Sequence, residues 1–217
     1  MFFDAHQRET VEAAMARIIP TDDLPGAREA GAIEFLDRYL SGIDFVYAKP
    51  DGSGFETLEG KRADAWHQRI DRLRATYMEG VQELDRASSA AFGAEFARLD
   101  PEQQDRVLAQ VERPSAGSES GLQEAKVTSG YGAPVEPALQ QTSAEIDLDF
   151  FPLLCQHTRQ GFYADPIYGG NVDRIGWQVI GFPGPTSLAE VHAGRYSTLA
   201  YFAQGQTDSE VEANSGA

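Results

Sequence analysis

Through most of this 217-residue chain the apolar positions recur every three or four residues, the period of helices that bury one face. The clearest run is Trp66, Ile70, Leu73, Tyr77, Val81 and Leu84, spaced by four, three, four, four and three residues. Between them stand Lys61, Arg62, Asp64, Arg69, Asp71, Arg72, Arg74, Glu79, Glu83, Asp85 and Arg86. Many of these are opposite charges three or four apart, as on a solvated helix face. The spacing predicts a helix from Gly60 to Ser88 with its stripe turned toward a core.

Val11, Ala14, Met15, Ile18 and Ile19 predict an amphipathic helix over 4–19, stopped by Pro20. A second helix is expected from Ala27, after Pro25-Gly26, to Ser41-Gly42, with Ile33, Leu36, Tyr39 and Leu40 on the face that meets the first. Lys49-Pro50-Asp51-Gly52-Ser53-Gly54 is turn chemistry and predicts a surface loop or short hairpin. In Leu99-Asp100-Pro101-Glu102-Gln103, Asp100 is a cap, Pro101 suits the first turn and Gln103 closes a capping box. Val107, Leu108 and Val111 then supply a buried side until Arg113-Pro114. Phe150, Phe151, Leu153, Leu154 and His157 predict a strongly apolar helix over 146–160 that fails near Gly161. A last helix is expected over 187–203, carrying Leu188, Val191, Tyr196, Leu199, Ala200 and Phe202.

Between these elements the composition shifts. Residues 115–143 are dominated by Gly, Ser, Ala, Pro, Glu and Gln and cannot build a packed core. They form a polar excursion whose obvious anchors are Tyr131 and Val135, a hint that part of it lies along a partner. Residues 204–217 read as an acidic, frayed tail. No internal repeat appears. The expected architecture is all-α, with about six helices and long irregular loops in a single domain spanning 1–217.

The segment from His157 to Gly184 breaks the helical pattern in a different way. After Gly161 it carries Pro166, Gly169, Gly170, Gly176, Gly181, Pro183 and Gly184 among the aromatics Phe162, Tyr163, Tyr168, Trp177 and Phe182. Flexible spacers avoid aromatic side chains, which seek burial. This composition predicts an ordered irregular loop, the usual seat of a binding surface. Tyr163, Tyr168, Trp177 and Phe182, with Tyr131 from the excursion, are candidate partner-interface residues, and the alternative for the loop aromatics is local covering of the core. Asp165 before Pro166 suits a turn that receives backbone N–H groups, and Asn171 after two glycines suits a left-handed turn. His157 is expected to end its helix and hold a loop carbonyl through its ring. His157, Asp165 and Asn171 are therefore read as loop-structuring residues.

Charge narrows the partners. The formal net charge of −16, from 34 acidic against 18 basic residues, repels phosphate backbones and anionic lipid head groups. Neither nucleic acid nor direct membrane insertion is expected, and no run approaches the roughly 18 apolar residues of a membrane span. Met1-Phe2-Phe3-Asp4-Ala5-His6 has no basic region followed by an apolar core, so it does not read as a secretory signal. The expectation is a cytoplasmic protein as written, or a periplasmic one if a signal was removed or a partner carries it. Cys155 is the one cysteine, which excludes an internal disulfide framework and multi-cysteine metal sites. It reads as a small buried hydrophobe, with an intermolecular disulfide as the other reading.

Reactive constellations are not evident. Ser118-Glu119-Ser120-Gly121 lies in a stretch too polar to be a nucleophile elbow. Gly169-Gly170-Asn171 follows no strand and opens no long helix, so it is not a dinucleotide fingerprint. His6, His67, His157 and His192 show no metal-ligand spacing within a helix, and a site from His157, Asp165 and His192 would require the fold to gather them. No catalytic, cofactor-binding or metal residue is assigned.

The run from Phe162 to Asn171, followed by Gly176-Trp177-Gln178-Val179-Ile180-Gly181-Phe182-Pro183-Gly184, resembles the family of the small third subunit of gluconate 2-dehydrogenase. Ala16-Arg17-Ile18-Ile19-Pro20-Thr21-Asp22-Asp23, Gly26-Ala27-Arg28-Glu29-Ala30-Gly31-Ala32 and Phe35-Leu36-Asp37 resemble that family's N-terminal part. The resemblance brackets about residues 3–184. It implies a non-catalytic subunit that pairs with a large flavoprotein of the glucose-methanol-choline oxidoreductase type, with FAD on the large chain. Such complexes oxidise sugars, sugar acids or glycosides and often pass electrons to a cytochrome c. The small subunit is associated with maturation, stability and export of the flavoprotein, frequently through a twin-arginine signal, which does not precede Phe2-Phe3 here. The other reading of the residues is a stand-alone carbohydrate-binding protein or enzyme with a pocket around 157–182.

Overall fold

The computed structural model describes residues 1–112, 145–185 and 187–195. Within them the chain forms seven α-helices: α1 (Ala5–Ile18), α2 (Ala32–Ser41), α3 (Gly60–Phe92), α4 (Pro101–Val111), α5 (Phe150–Tyr163), α6 (Ile175–Val179) and α7 (Leu188–His192). The architecture is all-α. Among the described residues β-pairing is limited to a lone antiparallel bridge between Ala48 and Phe55. It closes the expected hairpin, where Lys49 N–H donates to the Gly54 carbonyl at 2.7 Å.

Helix starts follow local chemistry. Asp4 and Gln7 close a capping box on α1, with side chain to backbone bonds of 2.8 and 3.1 Å. Asp100 and Gln103 do the same on α4, where Pro101 stands at the first helical position. The α3 stripe turns inward as its spacing dictates: Ile70, Leu73, Tyr77, Val81 and Leu84 are buried, and Trp66 is half-buried at the rim. They meet Val11, Ala14 and Met15 of α1, Leu36 and Leu40 of α2, Val107 and Leu108 of α4, and Leu153 and Leu154 of α5 in one hydrophobic core.

Several boundaries differ from the sequence expectation. α2 begins at Ala32, since residues 27–31 form turns that end on Gly31 in a left-handed conformation (φ 65°). α3 continues past Ser88, whose buried hydroxyl donates back to the Leu84 carbonyl at 2.6 Å, to Phe92, and stops at Gly93, which is left-handed at φ 72° and donates its N–H to the Ser89 carbonyl. α5 starts at Phe150 after an Asp149 cap, with residues 145–148 in a turn. It also runs through Gly161 to Tyr163. Gly161 serves a helix contact: a Cβ there would lie 2.8 Å from the Ala32 carbonyl oxygen and 2.9 Å from its Cα. α7 stops at His192, before Gly194 with φ 69°. The rest of the expected 187–203 helix from residue 196, the 115–143 excursion and the 204–217 tail lie outside the described residues.

Two long-range fixings set the frame. Asp37, only 4% exposed, accepts the backbone N–H groups of Phe2 and Phe3 at 2.8 and 3.0 Å and pins the N-terminus to α2. Arg74 of α3 donates to the carbonyls of Leu40 and Ser41 at 2.7 and 2.9 Å, satisfying acceptors that the end of α2 leaves open.

Candidate functional site

The segment after α5 folds back on the helix that carries it. Asp165 caps a single 3-10 turn over Pro166–Tyr168, its carboxylate accepting the Ile167 N–H at 3.0 Å. Arg38 of α2 donates to the Ile167 carbonyl at 3.1 Å. Gly169 and Gly170 then turn the chain toward the α5 terminus, and Val172 N–H donates to the Ala30 carbonyl at 3.0 Å. Residues 175–179, expected to be irregular, form α6. At its second residue, Gly176, a Cβ would fall 1.9 Å from the Phe162 carbonyl oxygen, so backbone packs on backbone with no room for a side chain.

Asn171 is the pivot. Its side chain is fully buried and its backbone is left-handed at φ 50°, a conformation that asparagine tolerates better than most residues. Its Nδ2 donates to the Ala164 carbonyl and its Oδ1 accepts the Gly176 N–H, both at 2.8 Å. One amide thereby ties the end of α5 to the start of α6. Asp173 and Arg174 follow with φ of 54° and 61°, costly for residues other than glycine, and the surrounding bonds hold the turn in place.

The loop aromatics divide by exposure. Trp177 is 6% exposed, its indole N–H donates to the Tyr163 carbonyl at 2.8 Å, and the Phe182 ring packs on it at 5.4 Å. Tyr168 is half-buried against Phe55, 5.8 Å between ring centres, and its hydroxyl accepts the Ala48 N–H at 3.4 Å. Phe182 is half-buried as well. Tyr163, at 40% exposure, turns outward, and the loop also presents Val172 at 41% and Ile180 at 57%. The apolar side chains that the loop exposes to solvent are therefore Tyr163, Val172 and Ile180, while Trp177 and Tyr168 are packed against the rest of the chain. Tyr131 lies outside the described residues.

His157 does not hold a loop carbonyl, as its position near the end of α5 suggested. It faces the core, fully buried, with Nδ1 2.8 Å from the Tyr77 hydroxyl and Nε2 2.6 Å from Glu145 Oε1. Arg69 pairs with the other carboxylate oxygen of Glu145. Burial pushes the Glu145 carboxyl up, but the hydrogen bond and charge of His157 and the Arg69 guanidinium outweigh it and hold the pKa below the ordinary value. The ionised carboxylate makes Nε2–H of His157 the donor, which leaves Nδ1 to accept from Tyr77 when the ring is neutral. Burial, then the Glu145 charge, push the Tyr77 hydroxyl well above its usual range and that of the neighbouring Tyr39 to about 12. Both phenols stay protonated near neutral pH.

A model of the family described as Gluconate 2-dehydrogenase subunit 3 matches residues 5–184. The chain belongs to that family. In this subunit 3 family member the match runs from the first residue of α1 to the glycine that closes the loop over Trp177. No curated protein and no solved structure matches the chain significantly.

The remaining candidates of the subunit 3 chain are placed as follows. Cys155 is half-buried on α5 with its thiol free; burial, with Glu112, raises its pKa against the pull of Arg159. His157, Asp165 and His192 do not gather, and no group of three possible metal ligands occurs among the described residues. No helix among them is long and apolar enough to cross a membrane. Tyr77 reads from the sequence only as a core residue and Asp37 only as part of the family-like Phe35-Leu36-Asp37; Arg69, expected on the solvated face of α3, is largely buried with Glu145, which sequence reading does not single out. A faint signal for Glu145 was its place as the acid that opens the apolar run after the excursion.

Proposed function

We propose that this chain is the non-catalytic small subunit of a heteromeric FAD-dependent dehydrogenase of sugars, sugar acids or glycosides. In this reading it binds and stabilises a large flavoprotein of the glucose-methanol-choline type, which holds the FAD and passes electrons to an acceptor such as a cytochrome c. Membership of the subunit 3 family supports a role inside a gluconate dehydrogenase-type assembly. The observation that carries the docking role is the loop itself. Asp165 bonds internally to Ile167, and Asn171 to Ala164 and Gly176, while Tyr163, Val172 and Ile180 are exposed on the backbone these bonds fix. A rigid apolar face binds a partner with little ordering cost.

Co-expression with a large flavoprotein of the glucose-methanol-choline type from the same genome tests this. The expected result is a complex with the absorption of bound FAD, and a colourless, inactive chain when purified alone. A flavoprotein that is stable and fully active without this chain overturns the proposal. Calorimetric titration of the isolated chain with sugars tests the stand-alone reading, which saturable binding would favour.

A further inference from the structure

The N-terminal half of α3 is basic on a chain whose formal net charge is −16. Lys61, Arg62, Arg69, Arg72 and Arg74 stand there against Asp64 and Asp71, whereas the second half carries Glu79, Glu83 and Asp85 against Arg86. Arg62, Arg69 and Arg72 line one groove of about 390 Å³ with Tyr47, Trp66 and Gln68. None of the described residues that line it is acidic.

Inside the groove, aromatic and cationic groups alternate. The Tyr47 and Trp66 rings meet edge to face at 5.6 Å, Arg62 lies 4.4 Å over the Tyr47 ring and Arg69 lies 5.1 Å over the Trp66 ring. Stacking orients a guanidinium plane and leaves its N–H edge for an oxyanion. Arg69 is committed to Glu145. Arg62 has a distant, exposed partner in Glu56 at 3.7 Å, and Arg72 makes no ion pair among the described residues.

Length separates the possible occupants. From residue 62 to 72 a helix rises about 15 Å, the reach of roughly four to five extended residues and more than one small acid fills. At one side of the groove, Tyr47 leads into the hairpin whose Ala48 and Phe55 contact Tyr168 of the loop.

We propose that this groove docks an acidic, extended segment of a partner polypeptide, its carboxylates on Arg62 and Arg72 and an apolar side chain against Tyr47 and Trp66. The existence of such a partner rests on the subunit reading above; the recognition chemistry does not.

The test is fluorescence anisotropy of the full chain with the labelled peptide Glu-Glu-Phe-Glu-Asp-Leu at low salt. Saturable binding is expected, lost as salt rises and weakened about tenfold or more by Arg72→Glu or Arg62→Glu. Arg106→Glu, an exposed charge on α4, should change it less than about twofold. Absence of saturable binding, or equal loss with Arg106→Glu, overturns the proposal. So does displacement of the peptide by sodium gluconate where sodium chloride of equal ionic strength has no effect, because that assigns the groove to a small sugar acid. Capture of the co-expressed flavoprotein is scored separately. Lost capture with peptide binding intact sinks the subunit reading alone, and intact capture with no peptide binding sinks the groove alone.

Discussion

Nε2 of His157 stands 2.6 Å from Oε1 of Glu145, with side-chain exposures of 0% and 7%. The pair fastens residue 145, where the described chain resumes, to the middle of α5, and Arg69 fastens the same carboxylate to α3. Removing one member of a buried charged set leaves the others uncompensated, which costs more than the set itself contributes. Glu145→Ala is expected to destabilise the fold by about 3 kcal/mol, read as a lower midpoint in urea unfolding. A change indistinguishable from that of an exposed control such as Glu102→Ala would contradict the arrangement.

The same carboxylate sets an acid limit. The folded pKa of Glu145 is lowered, so the folded state binds the proton less readily than the unfolded chain. Its contribution is present above the unfolded carboxylate value of about 4.3 and is lost as pH falls through the lower folded value. Unfolding midpoints measured from pH 7 to pH 3 should therefore fall more steeply at the acid end for the natural chain than for Glu145→Gln. Parallel curves would show that the carboxylate is not ionised in the fold.

How much of this was legible in the sequence differs from element to element. The α3 stripe from Ile70 to Leu84 was readable because helical burial repeats with the backbone period, and Asp100 with Gln103 was readable because a capping box is local. Asn171 was readable as a turn residue, since left-handed backbone selects few residue types. The rest depends on partners far along the chain. Gly161 reads locally as a helix breaker, and only the approach of Ala32 makes it a helix contact. His157 reads as a helix-end residue until Tyr77 and Glu145 close on its ring. α6 spans only 175–179, too short to stabilise itself, and is held by Asn171, with the Trp177 indole bond to Tyr163 fixing its side chain.

Asn171 gives the most direct test of the loop. Asn171→Ala removes both amide bonds in a fully buried site, leaves the Ala164 carbonyl and the Gly176 N–H without these partners and puts alanine at φ 50°. The expected cost is about 2–4 kcal/mol of local stability. Hydrogen exchange should accelerate across 164–180 and stay unchanged in α3 and α4. Uniform acceleration throughout would mean that the loop does not open as its own unit.

Cys155 offers a chemical readout. Its half-buried thiol has a raised pKa, chiefly from burial, and the thiolate is the reactive form. In the folded chain it should react with a thiol reagent at pH 8 roughly tenfold or more slowly than in urea. Equal rates would place it at the surface. If it bonds to another chain, non-reducing electrophoresis of the co-expressed complex shows the linked species.

The docking role turns on separating exposed from supporting residues. Tyr163 and Ile180 are 40% and 57% exposed, so Tyr163→Ala and Ile180→Asp should leave the unfolding midpoint within about 0.5 kcal/mol. Central contacts of an interface often contribute 1–2 kcal/mol or more, so each variant should lower flavoprotein capture about tenfold. Trp177→Ala behaves differently, because its 6% exposed ring fills the space between α5 and Phe182. It should cost about 3 kcal/mol of stability before any partner is added. Capture lost only with Trp177→Ala and retained by Tyr163→Ala and Ile180→Asp would show that the loop clasps the core of this chain and that the partner docks on another face.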